Sequence, residues 1–134
     1  MSFVRTYLVQ DNPIIRDNLT DTLQELANYA GVGEAGDEAT ALQRLGQAAD
    51  DIDLVIIDLF LYSGSGMSVL RSVQKMKIPA RRVVLTTSAT PDIRRRCAAL
   101  GADRVFDKAS EIDDLIDYCS SIADGSASGP GGLH

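Results

Sequence analysis

The sequence has one histidine, His134, and it is the last residue. Histidine-based acid/base catalysis and a histidine phosphocarrier role are therefore both nearly excluded. Cysteine is nearly as scarce: Cys97 and Cys119 lie far apart within helix-like patterns, with no CxxC or Cys/His spacing of a zinc or redox site. Both read as small buried hydrophobes. Basic charge is outnumbered, 13 Lys and Arg against 19 Asp and Glu, giving a formal net charge of -6. Such a surface is not built to neutralise nucleic-acid phosphates, and no direct nucleic-acid partner is expected. No apolar run approaches the roughly 18 residues that span a bilayer, and MSFVRTYLVQDNP lacks the apolar stretch of a signal peptide. The expectation is a cytoplasmic protein without membrane insertion. What remains for chemistry is carboxylates, hydroxyls and lysine.

With 134 residues the chain has room for one ordinary domain that needs no disulfide or metal staple. Five short apolar or β-branched runs alternate with five amphipathic stretches, the pattern of a parallel sheet covered by helices on both faces. The predicted strands are Val4 to Val9, Val32 to Ala35, Leu54 to Ile57, Val83 to Thr86 and Arg104 to Phe106; LVII and VVLTT read as continuous buried runs. The first helix has Asp11 and Asn12 as capping candidates and Pro13 in its first turn, with Ile15, Leu19, Leu23 and Leu26 on the face expected against the sheet. Further helices are predicted from Asp37 to Ala48, Ser65 to Lys75, Pro91 to Leu100 before a Gly101 stop, and after Ser110. In the last, Ile112, Leu115, Ile116, Cys119 and Ile122 form a stripe behind an acidic outer face. Residues 1–123 are thus read as one domain and 124–134, DGSASGPGGLH, as a Gly/Ser-rich tail unable to bury apolar surface.

In an open α/β sheet, ligands bind outside the carboxyl ends of the strands. There the sequence places Gln10 and Asp11 after the first strand, Asp58 after the third, Thr86 and Thr87 after the fourth, and Lys108 after the fifth. Each type has a task in phosphoryl transfer to a carboxylate. Asp58 can attack phosphorus without a base to deprotonate it. Asp11 beside Asp58 concentrates negative charge that a hard cation with open water positions, Mg²⁺, would offset. Lys108 offers a point charge and Thr86 a hydroxyl donor to phosphoryl oxygens. Positioning and electrostatics do most of the work in this reaction.

The blocks YLVQDNP, DLVIIDLFLYSGSG, VVLTT and GADRVFDK, in order over about residues 4 to 122, resemble the signature of response regulator receiver domains of two-component signalling. The resemblance implies a flavodoxin-like, doubly wound (βα)5 fold with strand order 2-1-3-4-5, the order of flavodoxin and of a chemotaxis receiver. It implies Asp58 as phosphoacceptor, Asp11 as direct Mg²⁺ ligand, the Phe60 carbonyl as backbone ligand, Thr86 as switch hydroxyl and Lys108 as the phosphate-contacting lysine. It also implies a sensor histidine kinase or phosphotransfer protein as partner, with an unidentified downstream protein. A receiver of this kind is not a conventional enzyme; it assists its own Mg²⁺-dependent phosphorylation and dephosphorylation.

Several positions depart from that pattern. Gln10 stands where an acidic residue is usual, so a Mg²⁺-bound water loses a charged acceptor and metal affinity should fall. Tyr62 and Ala109 replace prolines, and the second change should remove a cis peptide bond. Val105 occupies the usual place of a rotating aromatic, Thr87 is bulkier than usual, and Phe60 with Ser88 offers little to orient an attacking water. A slowly hydrolysing phosphoaspartate is expected. Gln10 and Val105 also motivate a second reading, a phosphorylation-independent scaffold that binds a protein partner.

Other motifs carry less. Gly31, Gly33 and Gly36 spell GxGxxG, but after a helix and around a weak second strand, the wrong context for dinucleotide binding. GSG at Gly64 to Gly66 lacks the lysine of a phosphate loop and reads as a turn into a helix. Arg94, Arg95 and Arg96 form a solvated face, or pair with Asp113, Asp114 or Asp117 within the chain or across a homodimer.

Overall fold

The computed structural model describes residues 3–61 and 64–123. Tyr62 and the expected tail lie outside the described residues. Strands β1 (Val4–Val9), β2 (Tyr29–Ala35), β3 (Leu54–Asp58), β4 (Arg81–Thr86) and β5 (Arg104–Asp107) alternate with helices α1 (Pro13–Leu26), α2 (Glu38–Gln47), α3 (Gly66–Lys75), α4 (Pro91–Ala99) and α5 (Ile112–Ala123). The strands pair in parallel in the order β2-β1-β3-β4-β5, the expected doubly wound sheet.

Side chains on a strand point alternately to the two sheet faces, and that alternation divides the core. Val55 and Ile57 of β3 pack with Tyr7, Val9 and Val84 toward α2, α3 and α4. Leu54 and Ile56 pack with Val4, Leu8, Val83 and Leu85 toward α1 and α5. The central strand is covered on both faces, which is why its sequence reads as an unbroken apolar run. On α1 the buried face is narrower than expected: Leu19 and Leu23 are buried, whereas Ile15 and Leu26 are exposed. The α5 stripe places Leu115 and Cys119 in the core with Tyr118, and Ile112, Ile116 and Ile122 at its margin.

The second strand begins earlier than the periodicity suggests, at Tyr29. Its register shifts opposite Thr6 and Tyr7, so Thr6 pairs with Gly31 and Tyr7 with Gly33, leaving Val32 as an extra residue. A Cβ on Gly33 would lie 2.7 Å from Tyr7 Cε2, so the glycine makes room for that ring. The GxGxxG spelling thus belongs to a bulged edge strand. Among the described residues, no helix is long and apolar enough to cross a membrane.

Candidate functional site

Helix caps set the rim. Asn12, rather than Asp11, caps α1: its side chain accepts from the N–H groups of Ile14 (2.9 Å) and Ile15 (3.1 Å), ahead of Pro13 at the first helical position. Half-buried Asp11 is thereby kept out of that capping role, between the end of β1 and the cap. Asp58 ends β3 and is only 4 % exposed. Its Oδ1 accepts from the Phe60 N–H at 3.0 Å. Its Oδ2 accepts from Lys108 Nζ at 2.5 Å and from Gln10 Nε2 at 2.6 Å. A buried carboxylate is costly unless paired, and here an ammonium, an amide and a backbone N–H share the charge.

Gln10 departs from its expected place beside a metal-bound water: its amide bonds directly to Asp58. The side chain is 1 % exposed, and its Oε1 accepts from the Asn12 N–H at 3.1 Å. That contact fixes the amide's orientation, since Oε1 must face the N–H donor and Nε2 must then face the ionised carboxylate, which only accepts.

Lys108 is aimed by the turn that carries it. Its backbone N–H donates to the Thr86 carbonyl at 3.0 Å, tying the turn to the end of β4. Asp107 Oδ1 accepts from the Ala109 (2.7 Å) and Ser110 (3.2 Å) N–H groups. No cis peptide bond occurs among the described residues, as Ala109 led us to expect. Thr86 is fully buried on the strand beside Asp58, and its hydroxyl oxygen accepts from the Ser88 N–H at 3.0 Å. Thr87 and Ser88 are exposed, as is Phe60, at 60 %.

Two supporting residues make contacts that the sequence did not signal. A Cβ on Gly66 would lie 2.2 Å from the Asp58 carbonyl oxygen and 2.6 Å from Leu59 Cα, so only glycine lets α3 start against the end of β3. Glu38, in the first turn of α2, accepts from the Ser65 N–H (3.1 Å) and the Ser68 hydroxyl (2.6 Å), holding the start of α3 from 27 residues away. The GSG turn was legible; its contacts were not.

The arginine run is arranged differently from the expected pairing with Asp113, Asp114 or Asp117. Arg94 donates to the Ala89 carbonyl (3.0 Å), the Val105 carbonyl (2.8 Å) and Glu111 Oε1 (2.6 Å). Glu111 Oε1 also accepts from the Asp107 N–H at 2.9 Å. The Arg94 hydrogen bond, helped by the Asp107 N–H, holds the Glu111 carboxyl below its ordinary range. Arg95 pairs with Asp92 on its own helix at 3.4 Å. Glu111 wins because it lies in the turn between β5 and α5, within reach of α4. Val105 sits half-buried on the α4 side, while Phe106 is buried on the opposite sheet face against Tyr118, with ring centroids 6.2 Å apart.

The donor set suits a hard cation in part. Two carboxylates, Asp11 and Asp58, and the Phe60 carbonyl are the oxygen types that Mg²⁺ takes alongside water. Gln10 is the exception, since it directs a donor into the rim. Among the described residues no group of three or more His, Cys, Asp or Glu side chains is arranged to hold a metal.

Known proteins place this geometry in a family. The family model described as the response regulator receiver domain matches residues 6–120. The nitrate/nitrite response regulator protein NarP of Escherichia coli is 30 % identical over 120 residues, covering 89 % of this chain and 54 % of NarP. The DNA-binding transcriptional activator DevR/DosR of Mycobacterium tuberculosis is 33 % identical over 89 residues, 66 % of this chain and 40 % of that protein. The chain thus spans about half the length of such relatives, or less. Among solved structures, a LuxR-family two-component response regulator from Aurantimonas sp. superposes with a TM-score of 0.82 at 26 % identity, over 92 % of this chain and 87 % of that one. The receiver domain of a NarL-type regulator from M. tuberculosis shares the fold, with a TM-score of 0.81 at 23 % identity over 93 % and 99 %. The chain belongs to the response regulator receiver domain family of two-component signalling.

Proposed function

We propose that Asp58 accepts a phosphoryl group from a phosphohistidine on a sensor histidine kinase or phosphotransfer protein, and that the chain then signals through protein contacts on α4, β5 and α5. The observation that carries this reading is the buried Asp58 carboxylate, with Lys108 Nζ 2.5 Å from its Oδ2. A carboxylate oxygen attacks phosphorus, an O–P bond forms and the P–N bond to the donor imidazole breaks. The electron pair leaves on the imidazole nitrogen, which takes up a proton. The charge leaving the carboxylate reappears on the phosphoryl oxygens, and Lys108 can follow it there on its flexible stem. The Thr86 hydroxyl can donate to another of those oxygens. Asp11, Asp58 and the Phe60 carbonyl would hold Mg²⁺, which when bound shields the incoming phosphoryl charge. Phe60 and Ser88 offer no acid or base to activate water, which supports a long-lived phosphoaspartate.

Residues 1–123 form the receiver in this reading and 124–134 a tail. One relative is named a DNA-binding transcriptional activator and another a transcriptional regulatory protein. For this chain, whose net charge is -6, the proposed contacts are with protein. A second reading, the phosphorylation-independent scaffold, is favoured by Arg94, which already ties α4 to β5 and α5 in the unmodified chain. Mixing the native chain and Asp58→Asn with a phosphorylated histidine kinase separates the two. Transfer to the native chain alone supports the phosphoacceptor; transfer to neither supports the scaffold.

A further inference from the structure

We propose that Gln10 acts as a positioning residue that keeps the Asp58 rim poorly receptive to divalent cations, because its amide donates to the same carboxylate that a cation would have to use. An ionised carboxylate offers about four lone-pair positions on its two oxygens. Three carry donors here: Gln10 and Lys108 on Oδ2, Phe60 N–H on Oδ1. A cation at Oδ2 must displace one of two hydrogen bonds. A cation at Oδ1 shares a carboxylate whose charge is already divided among three donors.

The amide cannot simply turn round. Rotating it would set Oε1 against the Asp58 oxygens and Nε2 against the Asn12 N–H, exchanging two hydrogen bonds for two repulsive contacts at a side chain only 1 % exposed. Gln10 therefore does more than lack a negative charge. It supplies part of the compensation that a bound cation would otherwise provide, and divalent affinity is lowered by an occupied ligand as well as by a missing acid. A rim of this type fills with metal at a higher free concentration than one with an acid at position 10, which ties phosphorylation to the level of free Mg²⁺.

The inference deepens the phosphoacceptor reading, but its test uses no phosphoryl donor, so failure of one is distinguishable from failure of the other. Calorimetric titration with Mg²⁺, and with Mn²⁺ read by water proton relaxation, would compare the native chain with Gln10→Met and Gln10→Glu, each checked for native circular dichroism. Met matches the length of Gln and removes the donor without adding charge. Gln10→Met should bind about three- to ten-fold more tightly than the native chain, and Gln10→Glu more tightly still, within the roughly 10- to 100-fold range typical of residues around metal ligands. Asp11→Asn should abolish binding in every background. Equal or weaker binding by Gln10→Met, with only Gln10→Glu improved, would overturn the proposal, as would binding that survives Asp11→Asn. If Gln10→Met does not fold, Gln10→Asn, whose shorter amide withdraws from Asp58, carries the same expectation.

Discussion

The Asp58 rim and the α4–β5–α5 face adjoin each other, yet they are held by different physics. At the rim, a carboxylate 4 % exposed is fixed by short contacts from Gln10 and Lys108, where water does not compete. On the neighbouring face, one arginine reaches Ala89, Val105 and Glu111 from a partly solvated position. Glu111 links the regions, because the oxygen that takes Arg94 also takes the Asp107 N–H, one residue before Lys108. The difference teaches that the Asp58 rim is held by buried contacts, while the surface beside it is fastened by a clasp that solvent can weaken.

Substitutions should separate them. Lys108→Ala removes the ammonium on Asp58 Oδ2 and should slow phosphorylation about a hundred-fold, read from the rate of adduct formation. A loss of only two- or three-fold would mean that Lys108 pairs with Asp58 at rest and does little in the reaction. Gly66→Ala forces a Cβ onto the end of β3 and should cost about 3 kcal/mol of stability in urea unfolding, with loss of the Asp58 geometry. Arg94→Ala should do the reverse of Lys108→Ala. Amide exchange at Asp107 should quicken, while the phosphorylation rate changes less than about three-fold. A large rate loss in Arg94→Ala would erase the distinction between rim and face.

The clasp should also be acid-sensitive. Glu111 has its carboxyl lowered from an ordinary value of 4.5, so its contribution is complete above that pH and is lost as pH falls through the lowered value. The difference in Tm between the native chain and Arg94→Ala should accordingly be full near neutrality and shrink in acid to what the Ala89 and Val105 carbonyl bonds contribute. A difference that grows in acid would contradict the assignment. The smallest effect expected is at the cysteines: burial pushes the Cys119 thiol up to about 12 and raises Cys97 as well. Neither should react with a thiol reagent at neutral pH until the chain unfolds.

The rim was largely legible in the sequence because its residues follow the apolar runs that define the strands, and topology alone brings strand ends together. Asp58, Lys108 and Gln10 converge for that reason. The strand order came from the family resemblance, and the sheet bears it out. What was not legible depends on side-chain reach. Periodicity placed Arg94 on a helix, but its partner Glu111 comes from the turn after β5, and acidic residues further along α5 were equally plausible on charge alone. The Glu38 contacts with Ser65 and Ser68 join residues 27 and 30 apart, which no local pattern encodes. The early start of β2 was hidden by Gly31 and Gly33, which weaken strand propensity while leaving room for the rings of Tyr29 and Tyr7 respectively.

The most direct test of the account is intact mass after incubation with a small-molecule phosphodonor and Mg²⁺, comparing the native chain with Asp58→Asn. The account predicts a single phosphoryl adduct on the native chain, dependent on Mg²⁺ and absent from the variant. An adduct of the same size on Asp58→Asn, or none on the native chain even with a phosphorylated kinase as donor, would contradict it.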